Sequence, residues 1–346
     1  MSKKLMIALG LLVVLAGMTL VQLNAREAED SRGADISVEL PKMEKDSIDR
    51  LEVKPPEKEA VTLVKDPSSE EGKGWKVSAP VEAKAATTAL ETALGKLAGL
   101  EVTAVAATRK ENHELLEVTQ DKGIHVVAKQ GDKVLADLWI GAYRSGNTMV
   151  RMEGNDKVAA VKGSIRFAFD KAVKEWRDRT ITDLEQDDVV AVTVENEKGT
   201  LRFEKDGDAF KQAEGQKAIP EFDPGKVKSM VGTAVHLRAV DFAKPDVTLA
   251  SAGVDDAGKS KVLLELSNDA GPSQVLLRVG AKVGSNYYLR KEGDEVLYQI
   301  SSFMGDRLSQ GPDDFKKDPP PKEGASASAK PPVNVVHPKQ VIPGHP

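Results

Sequence analysis

The stretch IGAYRSGNTMVRMEGNDKV, residues 140–158, is answered later in the chain by VGAKVGSNYYLRKEGDEV, residues 279–296. Gly141 and Ala142 match Gly280 and Ala281, and Asn147 matches Asn286. Arg151, Glu153 and Gly154 match Arg290, Glu292 and Gly293 at the same constant offset. An offset held through so many positions marks an internal repeat. The repeat continues upstream. SIDRLEV (47–53) parallels DVVAVTV (188–194), with apolar residues at Ile48, Leu51 and Val53 against Val189, Val192 and Val194. GKGWKVSAP around Trp75 parallels GDAFKQAEG around Phe210, each a Gly-rich turn followed by an aromatic residue that would anchor a strand to a core.

Within the first copy, VTLVK, WKVSA, GIHVVAK, VLADLWIG, NTMVRME and KVAAV read as strands separated by turns. AKAATTALETALGKLAGL places Ala86, Leu90, Leu94 and Leu97 on one helical face. SIRFAFDKAVKEW reads as a second helix that closes the copy. The second copy offers the hairpin AVTVENEKGTLRFEKDG, then a helix opened by FDPGKVKSMVGTAV, with Asp223 as cap and Pro224 in the first turn. HLRAVDF, KVLLELS, SQVLLRVG, NYYLRKE and EVLYQI follow as strands. The predicted fold class is α+β: two tandem repeats, each a mainly antiparallel sheet with helices on one face, after an N-terminal transmembrane helix.

The address comes from the N-terminus. After Lys3 and Lys4, residues 5–23 form an uncharged apolar run that as a helix would rise roughly 28 Å, about the thickness of the hydrocarbon layer. A cleaved signal peptide ending at Ala25 is the rival. The run exceeds a typical signal core, and Leu23 is bulky where cleavage wants a small residue, so an uncleaved anchor is the expectation. The lysines at its head put the body outside the cytoplasm. The expected organisation is an anchor (1–25), a polar linker (26–45), a first α+β repeat (46–184), a second (185–316) and a Pro-rich disordered tail (317–346).

The net charge is −5, to which the two head lysines contribute +2 and the tail from Lys316 onward +3, leaving −10 on the body. Such a body argues against nucleic acid and anionic lipid as partners. With 0 Cys, thiolate nucleophiles, Cys-based zinc sites and a lipid-bearing cysteine are excluded.

The Trp-containing strand, the helix behind it, the IGAYRSGN and VGAKVGSN turns, the hydrophobic strand after each, and EWRDRTITDL resemble the bacterial domain-of-unknown-function family 4340 over residues 47–317. Phe210 departs from the pattern, where the family more often has Trp. The resemblance implies a membrane-anchored extracytoplasmic protein, often encoded beside ABC-type export or gliding-motility components, with no enzymatic activity assigned.

Raw material for catalysis is sparse. His113, His125, His236, His337 and His345 show no helical metal pair, and each reads as a surface or structural residue. There is no nucleophile elbow and no P-loop. The acidic pairs Asp187–Asp188, Asp255–Asp256 and Asp313–Asp314 sit in turn-like contexts. The repeated Gly–Asn turn could hold an anion, with Arg151 and Arg290 assisting. The preferred reading is conformational: Gly supplies positive φ and the arginines project outward. Arg177 and Arg179 in WRDRTITDL are expected to complement a helix dipole, with partner recognition as the alternative.

The copies differ most where Thr148 and Met149 become Tyr287 and Tyr288, and where Tyr298 follows Val296 and Leu297. Aromatic side chains supply much of the energy at interfaces, so Tyr287, Tyr288 and Tyr298 are the candidate partner-binding residues. The alternative is that Tyr287 and Tyr298 pair across the hairpin and only stabilise the sheet. The expected function is a non-enzymatic, membrane-anchored, extracytoplasmic protein-binding module, without cofactor, metal or nucleic acid. The resemblance points its partner toward an ABC-type permease or accessory subunits. An extracytoplasmic small-ligand receptor or hydrolase is the alternative, distinguished by a deep pocket with convergent polar groups.

Overall fold

The computed structural model describes residues 37–69, 74–256, 258 and 260–318. The expected anchor, most of the linker and nearly all of the tail lie outside them, as do His337 and His345. Among the described residues no helix is long and apolar enough to cross a membrane. The chain divides into two compact units. One comprises the described residues up to Asp183 with His236–Val247 and Glu295–Ser301. The other comprises Leu184–Val235, Thr248–Asp294 and the described residues from Ser302 onward.

The first copy runs β1 (Arg50–Lys54), β2 (Val61–Asp66), β3 (Gly74–Ala79), β4 (Ala83–Lys84), α1 (Thr87–Ala98), β5 (Val102–Ala107), β6 (Ile124–Gln130), β7 (Lys133–Arg144), β8 (Asn147–Met152), β9 (Val158–Lys162) and α2 (Val173–Trp176). The second runs β10 (Val189–Asn196), β11 (Gly199–Asp206), β12 (Ala209–Gln212), α3 (Pro224–Val235), β13 (Asp241–Phe242), α4 (Leu249–Ala252), β14 (Ser260–Asn268), β15 (Gly271–Val283), β16 (Asn286–Lys291), β17 (Tyr298–Ser301) and α5 (Ser302–Leu308). The architecture is α+β, with two mostly antiparallel sheets and few helices.

Nine strands form one sheet in the order β4-β3-β2-β1-β6-β7-β8-β9-β5, and eight form the other in the order β12-β11-β10-β14-β15-β16-β17-β13. Apart from β4, the two orders superimpose strand for strand. The helix that follows β4 in the first copy (α1) and β12 in the second (α3) occupies the same place relative to the shared strands, and the strand after that helix (β5, β13) returns to the far edge. This is a duplicated topology.

Alternation explains the burial. In β1, Leu51 and Val53 are buried between exposed or half-buried neighbours, and β14 buries Ser260, Val262, Leu264 and Leu266 in the same alternation. The predicted helix face appears as Leu90, Leu94 and Leu97, each at most 2% exposed, packed into the core with Leu51, Leu63, Val126 and Leu138. Removing apolar surface of this kind from water drives the fold. Trp75 is half-buried against this core, and Phe210 is buried.

The repeated words encode a crossing of backbones. An added Cβ on Gly141 would lie 2.3 Å from the Leu116 carbonyl oxygen and 2.7 Å from Val118 Cγ1. At the matched Gly280 it would lie 2.0 Å from the Ala252 carbonyl oxygen and 2.6 Å from Val254 Cγ1. In both copies the ladder register slips directly after this glycine side, between Ile140 and Tyr143 on β7 and between Val279 and Lys282 on β15. Each copy therefore has a bulge with a second strand of chain laid across it, and only glycine leaves room. The turns that follow differ. Ser145 and Gly146 have φ of 49° and 82°, whereas in the second copy Gly284 has φ of 60° and Ser285 is not left-handed. Both patterns suit two-residue hairpins.

One expected helix is broken. SIRFAFDKAVKEW forms a 3-10 turn at Arg166–Ala168 and then the four-residue α2. Ile165, Ala168, Phe169 and Trp176 are all buried. The Thr148 hydroxyl accepts the Ile165 N–H at 3.1 Å, and Lys58 reaches Asp170 at 2.8 Å. Ala172 is extended, with φ −76° and ψ 160°. These long-range contacts override the local propensity.

Candidate functional site

The three candidate tyrosines occupy different environments. Tyr287 on β16 is half-buried opposite Lys282 of β15. Its hydroxyl donates to the Asp306 carboxylate at 2.6 Å, and an added Cβ on Gly305 would come within 2.3 Å of its ring. Gly305 is therefore the residue that lets α5 lie flat on this ring. Lys282 Nζ stands 5.0 Å from the ring centroid, and its hydrogen bond with Tyr287 holds the ammonium above its ordinary pKa. Tyr288, half-buried, takes the other face of the strand by alternation. Tyr298 is only 7% exposed. It pairs with Phe242 of β13 and packs on its ring at 6.0 Å, so it is a core residue. Its ladder partner is Phe242 and that of Tyr287 is Lys282.

Sequence reading missed the exposed residues of α5, the helix that packs on Tyr287. Phe303 is 65% exposed, and the Arg307 guanidinium lies 4.8 Å from its centroid. Phe303, Asp306 and Arg307 share one face of α5 by their spacing, and Asp306 receives the Tyr287 hydroxyl. The signal was present in SSFMGDRL as an aromatic four residues before an arginine. At the position matching Tyr287, Thr148 is wholly buried and donates to the Gly163 carbonyl at 2.7 Å. The aromatic–arginine surface thus belongs to the second copy.

The first copy has a polar aromatic cluster instead. His125 stacks on Trp139 with centroids 4.4 Å apart and planes at 13°, and its Nε2 lies 2.7 Å from Asp137 Oδ1. The Trp139 indole N–H donates to Glu153, which holds that carboxyl below its usual value. Arg151 does not project outward as expected. Its side chain is 12% exposed, lies against Trp139 and donates to the carbonyls of Val118, Met152 and Asn155. The indole face and the open carbonyls of the crossing strand draw it in. In the second copy Arg278 replaces Trp139 at the same offset. It meets Glu292 at 3.1 Å and Asp256 at 2.8 Å, so a charge-assisted pair fills the slot of an indole–carboxylate bond.

A cavity of about 670 Å³ lies beside His125, bordered by Pro55, Pro56, Glu57, Asp121 and Glu153. The His125–Asp137 pair has the geometry of a base and its orienting carboxylate, but the lining has no hydroxyl or thiol for it to activate. His113 is buried, with Nε2 2.7 Å from the Asp156 carbonyl, and His236 is exposed beside Asp183 at 3.6 Å. Asp187–Asp188 and Asp313–Asp314 sit in 3-10 turns. Among the described residues no group of three or more His, Asp or Glu is placed to hold a metal ion.

A family model described as "Domain of unknown function (DUF4340)" matches residues 75–255 and again 220–320. No curated protein matches the chain, and no solved structure matches it.

Proposed function

We propose, for a chain that belongs to the DUF4340 family, a non-enzymatic protein-binding role. Residues 5–23 hold the protein in the cytoplasmic membrane, and the duplicated body projects into the extracytoplasmic space. The partner is a membrane protein of a transport or surface-assembly system, with an ABC-type permease or its accessory subunit as the first candidate. One observation carries the reading: the second copy sets Phe303, 65% exposed, under Arg307 on the helix that packs on Tyr287. Aromatic and arginine side chains are the residue types that dominate binding energy at protein interfaces. The body's charge of −10 and the long apolar N-terminal run agree with a tethered module facing another protein.

The test is affinity purification from membranes with the full chain, comparing wild type with Phe303→Ala. A defined partner recovered with the wild type and lost with the variant, at unchanged melting temperature, supports the proposal. Equal recovery with both refutes this surface. N-terminal sequencing of the mature protein tests the anchor, and a chain beginning near Arg26 overturns it.

A further inference from the structure

The segment 176–182 is held between two others. Ala86 donates its N–H to the Trp176 carbonyl at 2.8 Å, Asp178 donates to Lys84 at 2.8 Å, and Ala239 donates to Arg179 at 2.7 Å. Isolated bridges join Ala85 to Arg177 and Thr180 to Arg238. Three arginines, Arg177, Arg179 and Arg238, are thereby gathered around one cavity of about 470 Å³, with Lys171 also on its wall. The first turn of α1, from Ala86 to Ala89, forms another part of the lining.

Four cations, Lys171, Arg177, Arg179 and Arg238, outnumber the two carboxylates of the lining, Glu175 and Asp178. Among the described residues none of the three arginines forms an ion pair. Arg238 reaches only the Thr180 hydroxyl at 3.4 Å, and Lys171 only the Phe167 carbonyl at 3.0 Å. The Arg177 guanidinium lies 3.4 Å from the Phe242 ring centroid, and its Nε is buried with no hydrogen-bond partner. Burial pulls its pKa below the ordinary arginine value. The two carboxylates in the lining are already engaged. Glu175 accepts the Ala172 N–H at 2.8 Å, while Asp178 accepts the Thr180 N–H at 3.0 Å and pairs with Lys84 at 3.2 Å.

The duplication supplies an internal control. The matching helix α3 is preceded by Asp223, whose carboxylate accepts the Gly225 N–H at 2.9 Å. The residue before α1 is Ala86, which has no side-chain cap, and the first turn of α1 contains no acidic residue. One copy thus supplies an anion to its helix covalently, and the other surrounds the same helix end with arginines. A helix start favours negative charge, and guanidinium groups fit tetrahedral oxyanions bidentately.

We propose that this cavity in the first copy binds a phosphate or sulfate monoester group, held by Arg179 and Arg238 at the open N–H groups of α1. The site is independent of the protein-binding surface on α5. It also revises the expectation for WRDRTITDL, since Arg177 and Arg179 face a cavity and do not serve the end of the four-residue α2.

The test uses the full chain in detergent. Inorganic phosphate and pyrophosphate are titrated by calorimetry, with acetate as the comparison anion. Saturable binding of one phosphate per chain, stronger than acetate and weakened at least tenfold in Arg179→Ala/Arg238→Ala, is the expected result. Ala86→Asp gives a readout that does not depend on losing a side chain: it plants the carboxylate that the second copy already has. It should abolish phosphate binding and raise the melting temperature. Flotation with phosphatidylcholine vesicles, with and without phosphatidic acid, assigns the source. Binding only to inorganic phosphate points to a soluble ligand, and binding to phosphatidic-acid vesicles as well points to a headgroup. No saturable binding to either phosphate or phosphatidic acid overturns the proposal, as does phosphate affinity unchanged in both variants.

Discussion

Replacing Gly280 with Ala isolates the physical content of the repeated motif. The new methyl carbon would lie 2.0 Å from the Ala252 carbonyl oxygen and 2.6 Å from Val254 Cγ1. The first neighbour is backbone, so no side-chain rotation relieves the contact, and the crossing segment or the bulge must shift. Overpacking of this kind costs about 3 kcal/mol, the upper end of the usual range. For a domain of this size that corresponds to a fall in melting temperature of roughly 6–12 °C. Gly141→Ala, with its Cβ 2.3 Å from the Leu116 carbonyl oxygen, should behave alike. Gly95→Ala is the opposite case: it lies inside α1, its added Cβ meets nothing within 4 Å, and the better helix former should stabilise by about 0.5–1 kcal/mol. Urea melts read the three variants. Trp75, Trp139 and Trp176 all lie in the first unit, so fluorescence follows Gly141→Ala and Gly95→Ala there, while circular dichroism is needed for Gly280→Ala. A loss below about 0.5 kcal/mol for Gly280→Ala, within the range of ordinary surface substitutions, would refute the backbone-crossing account.

Arg278→Ala removes a side chain only 9% exposed from contacts to Glu292 and Asp256, and should cost about 2 kcal/mol in urea melts, the range for hydrogen bonds to charged groups. Glu265 is held below its ordinary carboxylate pKa of 4.5 by hydrogen bonds from Arg202, whose Nη2 lies 3.1 Å from Oε2. The folded state therefore favours its ionised form. That stability is complete above the ordinary value and is lost as the pH falls through the lowered one, so Glu265→Gln should flatten the acid limb of a stability–pH profile. An acid limb identical to that of the wild type would contradict this. Trp139→Phe, which removes the indole donor to Glu153, should lower stability by about 1 kcal/mol, measured by circular dichroism because the substitution alters the fluorescence.

The sheets were legible because their strands alternate and their hairpins carry left-handed glycines. NTMVRME became β8, with Thr148, Met149 and Val150 all buried, and KVLLELS became β14 with the in–out pattern intact. The helices α1 and α3 were legible from leucine spacing and from Asp223 before Pro224. The broken helix at 164–176 was not, because the contacts that break it, from Thr148 and Lys58, come from distant positions in the chain. Strand β5 lacks contrast, being a run of small and β-branched residues with only partial burial. At the candidate surface, Tyr287 was chosen from the difference between the copies, but its neighbours on α5 were invisible without the helix. Tyr298 was chosen on the same grounds and lies in the core, since residue type alone does not fix the face of a strand. The arginine cavity escaped for a different reason: Arg238 lies far along the chain from Arg177 and Arg179 and joins them through long-range backbone pairing, the Thr180–Arg238 bridge and the Ala239–Arg179 hydrogen bond.

The outermost strands of the two sheets bear on crowding. Strands β4 and β13 are two residues long and β12 is four. The longest border strand, β5, loses register twice along its pairing with β9, between Val102 and Ala104 and between Val105 and Ala107. Among the described residues no border therefore offers a long straight row of open donors and acceptors onto which a second molecule could zip. Two sheets of nine and eight strands would otherwise invite edge-to-edge polymerisation. Self-association by strand addition is opposed by these ragged margins.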